Sequence, residues 1–352
     1  MKVSHEVPLC LLEDSKKFND YDYCLPHLLD EEPGYLNYFL QAKSEGRYII
    51  MDNSLHELGK AYDTERLLHW IYELEPDEFI VPDVWEDMEG SIENAKLWID
   101  MELPPSVEKV VVVQAQTLHE AFECTKIYKE LGYKKICYSY GASYYNTVCL
   151  HPNQDLGKAL GRLFVISVLY NQGVLTENDR VHLLGCAVPQ EFGWYEGIKC
   201  IESIDTSNPI MASLDNVSYN TSGLTSKPKS NMNENFDMLY DELDYECITH
   251  NVEMFRKINN IKKQTMKKEK TVKKEEPILQ VERDNLDEMI TLYDFLGKAA
   301  GMDLGSKVCK KATELKEPIE ERHIENPVYK GNVHAYRRGF LNLYFLFNTI
   351  AK

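Results

Sequence analysis

The sequence lacks any apolar run that could cross a bilayer. A transmembrane helix needs about 20 consecutive apolar residues, and no stretch of this chain approaches that length. The opening residues, MKVSHE, also lack the basic and apolar regions of a secretory signal peptide. We therefore expect a cytoplasmic protein with no membrane partner.

Cysteine pairs with metal-ligand or redox spacing are also missing. The nine cysteines are scattered, their number is odd, and no two of them form a CxxC pair. This pattern argues against a disulfide framework and predicts reduced thiols. Cys247, His250, Cys309, His323 and His334 leave room for an unusual zinc site. Scattered cysteines and histidines are usually structural, so we predict no metal and no cofactor.

Positive charge is in deficit. The chain has 39 lysines and arginines against 57 aspartates and glutamates, which gives a net charge of −18. Such a chain does not bind nucleic acid over its whole surface, because phosphate binding needs clustered basic residues. Two local basic stretches remain, which contain Lys262, Lys263, Lys267 and Lys268, and Arg337 and Arg338. Taken alone, a lysine tract is most often a solvated linker or helix face.

Short apolar strand patterns alternate with helical patterns from residue 3 to residue 205. Roughly eight strand signals occur there, and this alternation favours a parallel sheet covered by helices. We predict an α/β protein with a (β/α)8 TIM barrel over residues 1–215. An open doubly wound sheet is the alternative, but neither GxGxxG after the first strand nor GxxxxGK[ST] is present.

The rest of the chain, residues 216–352, is predicted to be a C-terminal, mainly helical extension that carries the lysine-rich arm. Helical patterns cover residues 236–263, 284–300 and 333–350. The Ser/Asn/Thr-rich stretch at 216–235 predicts a loop.

Polar residues follow the predicted strands at regular intervals. Asp52, Asp83 and Gln114 each come directly after an apolar run, and Asp205 ends an alternating run that Pro209 stops. In a parallel barrel the C-terminal strand ends form one face, where active sites lie. Carboxylates that converge there are unfavourable unless they meet a polar or cationic ligand. We therefore favour a functional site over a set of unrelated helix caps.

This order of segments resembles the tRNA-guanine transglycosylase superfamily over roughly residues 1–215. Five segments carry the resemblance, namely MDNS at 51–54, VPDV at 81–84, VVQAQ at 112–116, LLGCAVPQE at 183–191 and GIKCIESID at 197–205. The chain departs from the family at three turns, which read DNSL at 52–55, QAQ at 114–116 and TSNP at 206–209. It also lacks the family's C-terminal Cys-x-Cys-x-x-Cys…His zinc cluster, which lies beside the RNA-binding surface in tRNA-acting relatives.

These departures favour the divergent branch of 7-deazaguanine DNA transglycosylases found in phages and in bacterial modification clusters. The resemblance implies a pentosyltransferase that exchanges guanine in DNA for a 7-deazaguanine (preQ0-like) base. Its partners would be DNA and that base, and its location would be the host cytoplasm if a phage encodes it. A tRNA-acting transglycosylase and a non-catalytic barrel that binds a partner remain the alternatives.

The resemblance also implies roles for individual residues. Asp205 would attack C1′ of the nucleotide and form a covalent intermediate, while Asp52 would act as general acid and base. The base-binding residues would be Asp83, Gln114, Ser139, Tyr140, Gly141 and Gly185. Tyr138, Tyr144 or Tyr145 could take the stacking role instead of Tyr140. The two basic stretches would contact phosphates and position the strand.

Overall fold

Eight short parallel strands form one sheet in the computed structural model. In chain order they are β1 Lys2–Ser4, β2 Asp22–Cys24, β3 Ile49–Met51, β4 Glu78–Ile80, β5 Glu108–Val112, β6 Lys135–Ser139, β7 Arg180–Leu184 and β8 Ile201–Asp205. Their order across the sheet is β1-β8-β7-β6-β5-β4-β3-β2. The structure describes residues 1–264, 288–296, 302–325, 330–338, 340, 341 and 344.

The two edges of this sheet meet, so that the sheet nearly closes. The backbone N–H of Asp20, just before β2, donates to the carbonyl oxygen of Val3 in β1 at 2.8 Å. The N–H of Val3 in turn donates to the Asp20 carboxylate at 2.9 Å. Asn19 bonds both the N–H and the C=O of His5. The predicted (β/α)8 TIM barrel is therefore confirmed.

Helices alternate with the strands along the chain. They are α1 Leu12–Phe18, α2 Pro26–Glu31, α3 Pro33–Ser44, α4 Leu55–Leu58, α5 Thr64–Leu74, α6 Met88–Ile99, α7 Leu118–Glu130, α8 Tyr145–Val148, α9 Gln154–Asn171 and α10 Asn208–Leu214. The apolar stretches of the strands are continuous in places because helices bury one face and the barrel interior buries the other. Ile49, Ile50 and Met51 of β3, for example, are all buried.

An ion network closes the barrel at the N-terminal ends of its strands. Lys135 and Glu78 are both fully buried and pair at 2.5 Å. Arg180 pairs with Glu108 at 2.6 Å and with Glu202 at 2.9 Å. Although burial acts to raise the pKa of Glu202, Lys135 and Arg180 lower it to about 2. Acidic and basic side chains therefore pair with each other at the N-terminal ends of the strands. The C-terminal ends remain as the place for a functional site.

Residues 216–264 pack against the barrel. They contain α11 Met232–Asn235 and α12 Tyr245–Ile258, which is shorter than the helix predicted over 236–263. Ile248 and Val252 of α12 join a buried cluster with Leu11 and Ile210 from the barrel. The chain accordingly divides into compact units of residues 1–269 and 270–352, whereas the sequence placed the boundary after residue 215.

The second unit contains helices, as predicted, together with a small antiparallel sheet. The helices are α13 Leu292–Leu296 and α14 Met302–Glu314, and the strands are β9 Met289–Thr291, β10 Ile319–Glu325 and β11 Lys330–Arg337 in the order β10-β11-β9. The helix predicted over 333–350 is wrong for residues 333–337, because β11 pairs with a strand on each side. Among all the described residues, no helix has the length and apolar character needed to cross a membrane.

A buried arginine joins the C-terminal ends of two neighbouring strands. Arg162 of α9 donates to the carbonyl oxygens of Tyr138, Leu184 and Gly185 at 2.8–3.0 Å. Its Nε also pairs with Glu191 at 2.7 Å, and both side chains are fully buried. This arginine therefore fixes β6 and β7 where they reach the site.

Arg162→Met is expected to lower the free energy of unfolding by about 3–5 kcal/mol. It would leave Glu191 as an unpaired buried charge and the three carbonyl groups without their donor. Urea unfolding measures the change. Lys199→Met removes the exposed Lys199–Glu177 pair and should change stability by less than about 0.5 kcal/mol. Equal, small changes in both variants would contradict this account of the strand ends.

Candidate active site

A cavity of about 450 Å³ opens at the C-terminal ends of the barrel strands. Seven of the eight residues predicted for catalysis and base binding line it, namely Asp52, Asp83, Gln114, Ser139, Tyr140, Gly185 and Asp205. Gly141, the eighth, is not among the lining residues and packs against the ring of Trp85, which is one of them. The convergence predicted from the strand ends is therefore present.

Asp205 ends β8 and is held by a histidine of the neighbouring strand. Its Oδ1 lies 2.9 Å from Nε2 of His182, and Nδ1 of His182 lies 2.9 Å from Oγ of Ser203. Because a carboxylate only accepts hydrogen bonds, the Nε2–H group of His182 is the donor to Asp205. Tyr23 stacks on the imidazole with a centroid distance of 6.0 Å and an interplanar angle of 9°. These contacts fix one carboxylate oxygen of Asp205.

Asp52 follows β3 and lies at a tight turn. Its Oδ2 accepts a hydrogen bond from the backbone N–H of Ser54, which has a left-handed φ of 57°. Asn53 accepts from the N–H of Leu55, the first residue of α4. Burial, followed by the charge of Glu57 and then by those of the other cavity carboxylates, raises the pKa of Asp52 well above its usual range. Asp52 therefore holds a proton more readily than an exposed aspartate.

Asp83 accepts hydrogen bonds from two buried amides. Nδ2 of Asn53 donates to one oxygen and Nε2 of Gln114 donates to the other, both at 2.6 Å. Gln114 also accepts from the backbone N–H of Glu86 at 2.9 Å. Burial raises the pKa of Asp83 to about 6, although the two amides oppose that shift. The amides orient Asp83 and leave further lone pairs on its oxygens for a ligand.

Three further carboxyl groups that were not predicted from the sequence line the cavity, those of Glu6, Glu57 and the exposed Glu234. Glu57 lies on α4, and its buried Oε2 has no hydrogen-bond partner. Burial raises the pKa of Glu57 to about 7, and the charge of Asp205 adds to the effect. Glu6 follows β1, and burial together with Asp205, Glu57 and Asp52 raises its pKa as well. His182 was also missed, although a polar residue within an apolar strand was a usable signal.

Aromatic side chains form part of the cavity wall. Tyr140 packs against Gly185, where an added Cβ would lie 2.5 Å from the ring, and the φ of Gly185 is 59°. The two predicted glycines therefore make room for aromatic rings. Of the four tyrosines considered for stacking, Tyr138, Tyr144 and Tyr145 are buried in the core, and Tyr140 lines the cavity.

The lysines and arginines that were predicted to contact phosphates lie in different environments. Lys262 and Lys263 lie near the end of the first described range and do not line the cavity, and the Lys263 ammonium donates to the carbonyl of Lys17. Arg337 and Arg338 form ion pairs at 2.8 Å, Arg337 with Glu317 and Arg338 with Glu288. Lys267 and Lys268 lie outside the described residues. The one lysine or arginine among the lining residues is Lys227, which the sequence reasoning did not select.

The residues considered for zinc are engaged in other contacts. Nε2 of His250 donates to the carbonyl oxygen of Tyr219, and Nδ1 of His323 contacts the side chain of Asn332. All nine cysteines are free. In the parts of the chain that the structure describes, no group of three or more His, Cys, Asp or Glu is placed to hold a metal ion.

Comparison with known proteins adds no family assignment. No protein-family model matches the sequence, and no curated protein matches it.

Glu57→Gln is expected to stabilise the protein at pH 8 by about 3 kcal/mol and to leave its stability at pH 4 almost unchanged. A raised pKa means that the folded state binds the proton more tightly than the unfolded chain does. The Glu57 carboxyl group therefore does not lower the free energy of unfolding below its ordinary pKa of 4.5, and its destabilising effect grows from there until about pH 7.

Urea unfolding of both proteins between pH 4 and pH 8 measures this difference. Glu130→Gln, at an exposed position on α7, is the matched control and should follow the wild-type curve at every pH. A Glu57→Gln curve that also parallels the wild type would show that the buried carboxyl carries no such penalty.

Proposed function

We propose that this protein exchanges guanine in DNA for a 7-deazaguanine base through a covalent bond between Asp205 and the deoxyribose. The observation that carries the proposal is the placement of Asp205, Asp52 and the Asp83–Gln114 pair around one cavity. By resemblance, Asp205 is the nucleophile, Asp52 the general acid and base, and Asp83 and Gln114 the residues that hold the base. A volume of about 450 Å³ is within the range of sites for small ligands.

The first half of the exchange needs a nucleophile and an acid. A carboxylate oxygen of Asp205 attacks C1′, the C1′–N9 bond breaks, and its electron pair leaves with the guanine. Asp52 gives its proton to the departing base. The raised pKa of Asp52 supports this role, because an acid that stays protonated near neutral pH can donate there.

The second half reverses the roles. The Asp52 carboxylate, now without its proton, takes the N9 proton of the incoming 7-deazaguanine. N9 then bonds to C1′, and the bond between C1′ and Asp205 breaks, which restores the Asp205 carboxylate. The phosphodiester backbone is not cut at any step, and the two carboxyl groups return to their starting states.

The Asp83 carboxylate suits the edge of guanine that carries two N–H donors. Its oxygens are oriented by Asn53 and Gln114 and retain acceptor capacity. Adenine lacks those paired donors and would leave this buried carboxylate unsatisfied. Such a mismatch is strongly unfavourable, because a buried polar group without a partner loses its solvation.

DNA is favoured over tRNA as the substrate because the sequence has no Cys-x-Cys-x-x-Cys…His cluster. In the tRNA-acting relatives that this chain resembles, that cluster builds a subdomain beside the bound RNA. The test below distinguishes the two substrates.

Purified protein incubated with 7-cyano-7-deazaguanine and DNA is expected to incorporate that base into the DNA. Asp205→Asn should abolish incorporation, because the amide is not a comparable nucleophile. Nucleoside mass spectrometry after digestion measures the product, and unmodified tRNA is run in parallel. Incorporation into tRNA alone would overturn the DNA assignment. No exchange into either polymer by folded protein would support the non-catalytic alternative.

His182→Phe is expected to lower kcat by about 100-fold, because Asp205 would lose the donor that orients it. KM should change less, since His182 does not line the cavity. His182→Gln should recover part of the loss, because its amide can donate to Asp205. His119→Phe, on the exposed side of α7, is the control. Equal losses in both His182 variants would indicate a packing role only.

A further inference from the structure

The mouth of the cavity carries an exposed indole. Trp85 lies two residues after Asp83, lines the cavity and is 39% exposed. Tryptophan is usually well buried, and an exposed tryptophan at a cavity mouth is a common feature of surfaces that stack on a base.

The loop that carries Trp85 is fixed by its neighbours. The ring packs against the backbone at Gly141, where an added Cβ would lie 2.4 Å from Cη2 of the indole. The next residue, Glu86, has a left-handed φ of 50° and donates its N–H to Gln114. The Glu86 side chain also accepts from the N–H of Ser143 at 2.6 Å. The indole is therefore presented to solvent in a defined position, which reduces the entropy lost when a ligand stacks on it.

A lysine lies beside the neighbouring aromatic ring. The Lys227 ammonium lies 4.8 Å from the centre of the Tyr140 ring and donates to the Tyr140 hydroxyl at 2.5 Å. The backbone N–H of Lys227 donates to the carboxylate of Asp155 at 2.8 Å, which anchors the segment. His56 lies between the two aromatic rings, at centroid distances of 6.1 Å to Trp85 and 6.2 Å to Tyr140.

Charge separates this rim from the interior of the cavity. Six carboxyl groups line the cavity: those of Glu6, Asp52, Glu57, Asp83 and Asp205 are buried or half-buried, and that of Glu234 is exposed. A phosphate is repelled from such a surface and attracted to a cation. Burial, followed by the charge of Lys227, lowers the pKa of His56, so the imidazole adds no positive charge at neutral pH. A phosphate is therefore best placed at Lys227.

We propose that Trp85 and Lys227 form a rim subsite for the nucleotide next to the one whose base is exchanged. Its base stacks on Trp85, and the phosphate that links the two nucleotides pairs with Lys227. The inference rests on the proposed function and extends it, because a base stacked on Trp85 is not paired in a duplex. The substrate is then a single strand or a locally opened duplex.

Binding to the Asp205→Asn protein tests this subsite without turnover. The probes are a fluorescent single-stranded DNA pentamer with a central guanine and, separately, free 7-cyano-7-deazaguanine. Trp85→Ala is expected to weaken pentamer binding about tenfold, the usual effect of removing one stacking side chain, and to leave binding of the free base within about twofold. Trp85→Phe should retain most of the affinity.

Trp194→Ala is the matched control, because Trp194 is 36% exposed and does not line the cavity. Its pentamer affinity should equal that of the parent protein. Lys227→Gln should weaken pentamer binding. It should also reduce the dependence of the affinity on salt concentration by the amount expected for about one lost phosphate contact, and Lys227→Arg should restore both. Melting temperatures check that each variant is folded.

Equal pentamer affinity in Trp85→Ala and Trp194→Ala would overturn the rim subsite, even if the protein with Asp205 intact exchanges bases. If Trp85→Ala weakened binding of the free base as much as binding of the pentamer, the rim subsite would also be overturned, because Trp85 would then belong to the base pocket. Failure of base exchange by the protein with Asp205 intact, together with no binding of the free base, would instead overturn the proposed function.

Discussion

The repulsion and desolvation of the five buried or half-buried carboxyl groups around one cavity is the constraint on which the site depends. Burial raises the pKa values of Asp52, Glu57, Asp83 and Glu6, and neighbouring negative charges raise several of them further. A fold does not gain stability from such an arrangement, which is why it points to a ligand. The protein offsets it locally with Asn53, Gln114 and His182, each of which donates to one carboxylate.

The two ends of the barrel differ in how far their charged side chains are paired. At the N-terminal ends of the strands, Lys135 and Arg180 pair with three glutamates, so most of the negative charge there is compensated. At the C-terminal ends Asp52, Asp83 and Asp205 accept hydrogen bonds, but Glu57 keeps a buried oxygen without a partner. Lys227 is the one lysine or arginine among the described lining residues. The barrel thus has one end closed by ion pairs and one end where carboxyl groups line a cavity, which is the end where this architecture places its sites.

The fold and the centre of the site could be predicted because both follow from short-range patterns. Strand ends converge in any parallel barrel, so Asp52, Asp83, Gln114 and Asp205 could be brought together from their positions alone. Glu57 depends on the left-handed turn at Ser54, and Lys227 belongs to a loop without periodicity, so neither followed from the sequence. Strand β11 was missed because its pairing with β9 and β10 outweighed a local helical pattern.

A covalent adduct on Asp205 would test the central claim most directly. The protein is mixed with a guanine-containing DNA oligonucleotide without an incoming base, denatured, and digested before mass spectrometry. The account predicts an adduct that maps to Asp205, and that disappears both in Asp205→Asn and after 7-cyano-7-deazaguanine is added. An adduct at another residue, or base exchange that continues in Asp205→Asn, would contradict it.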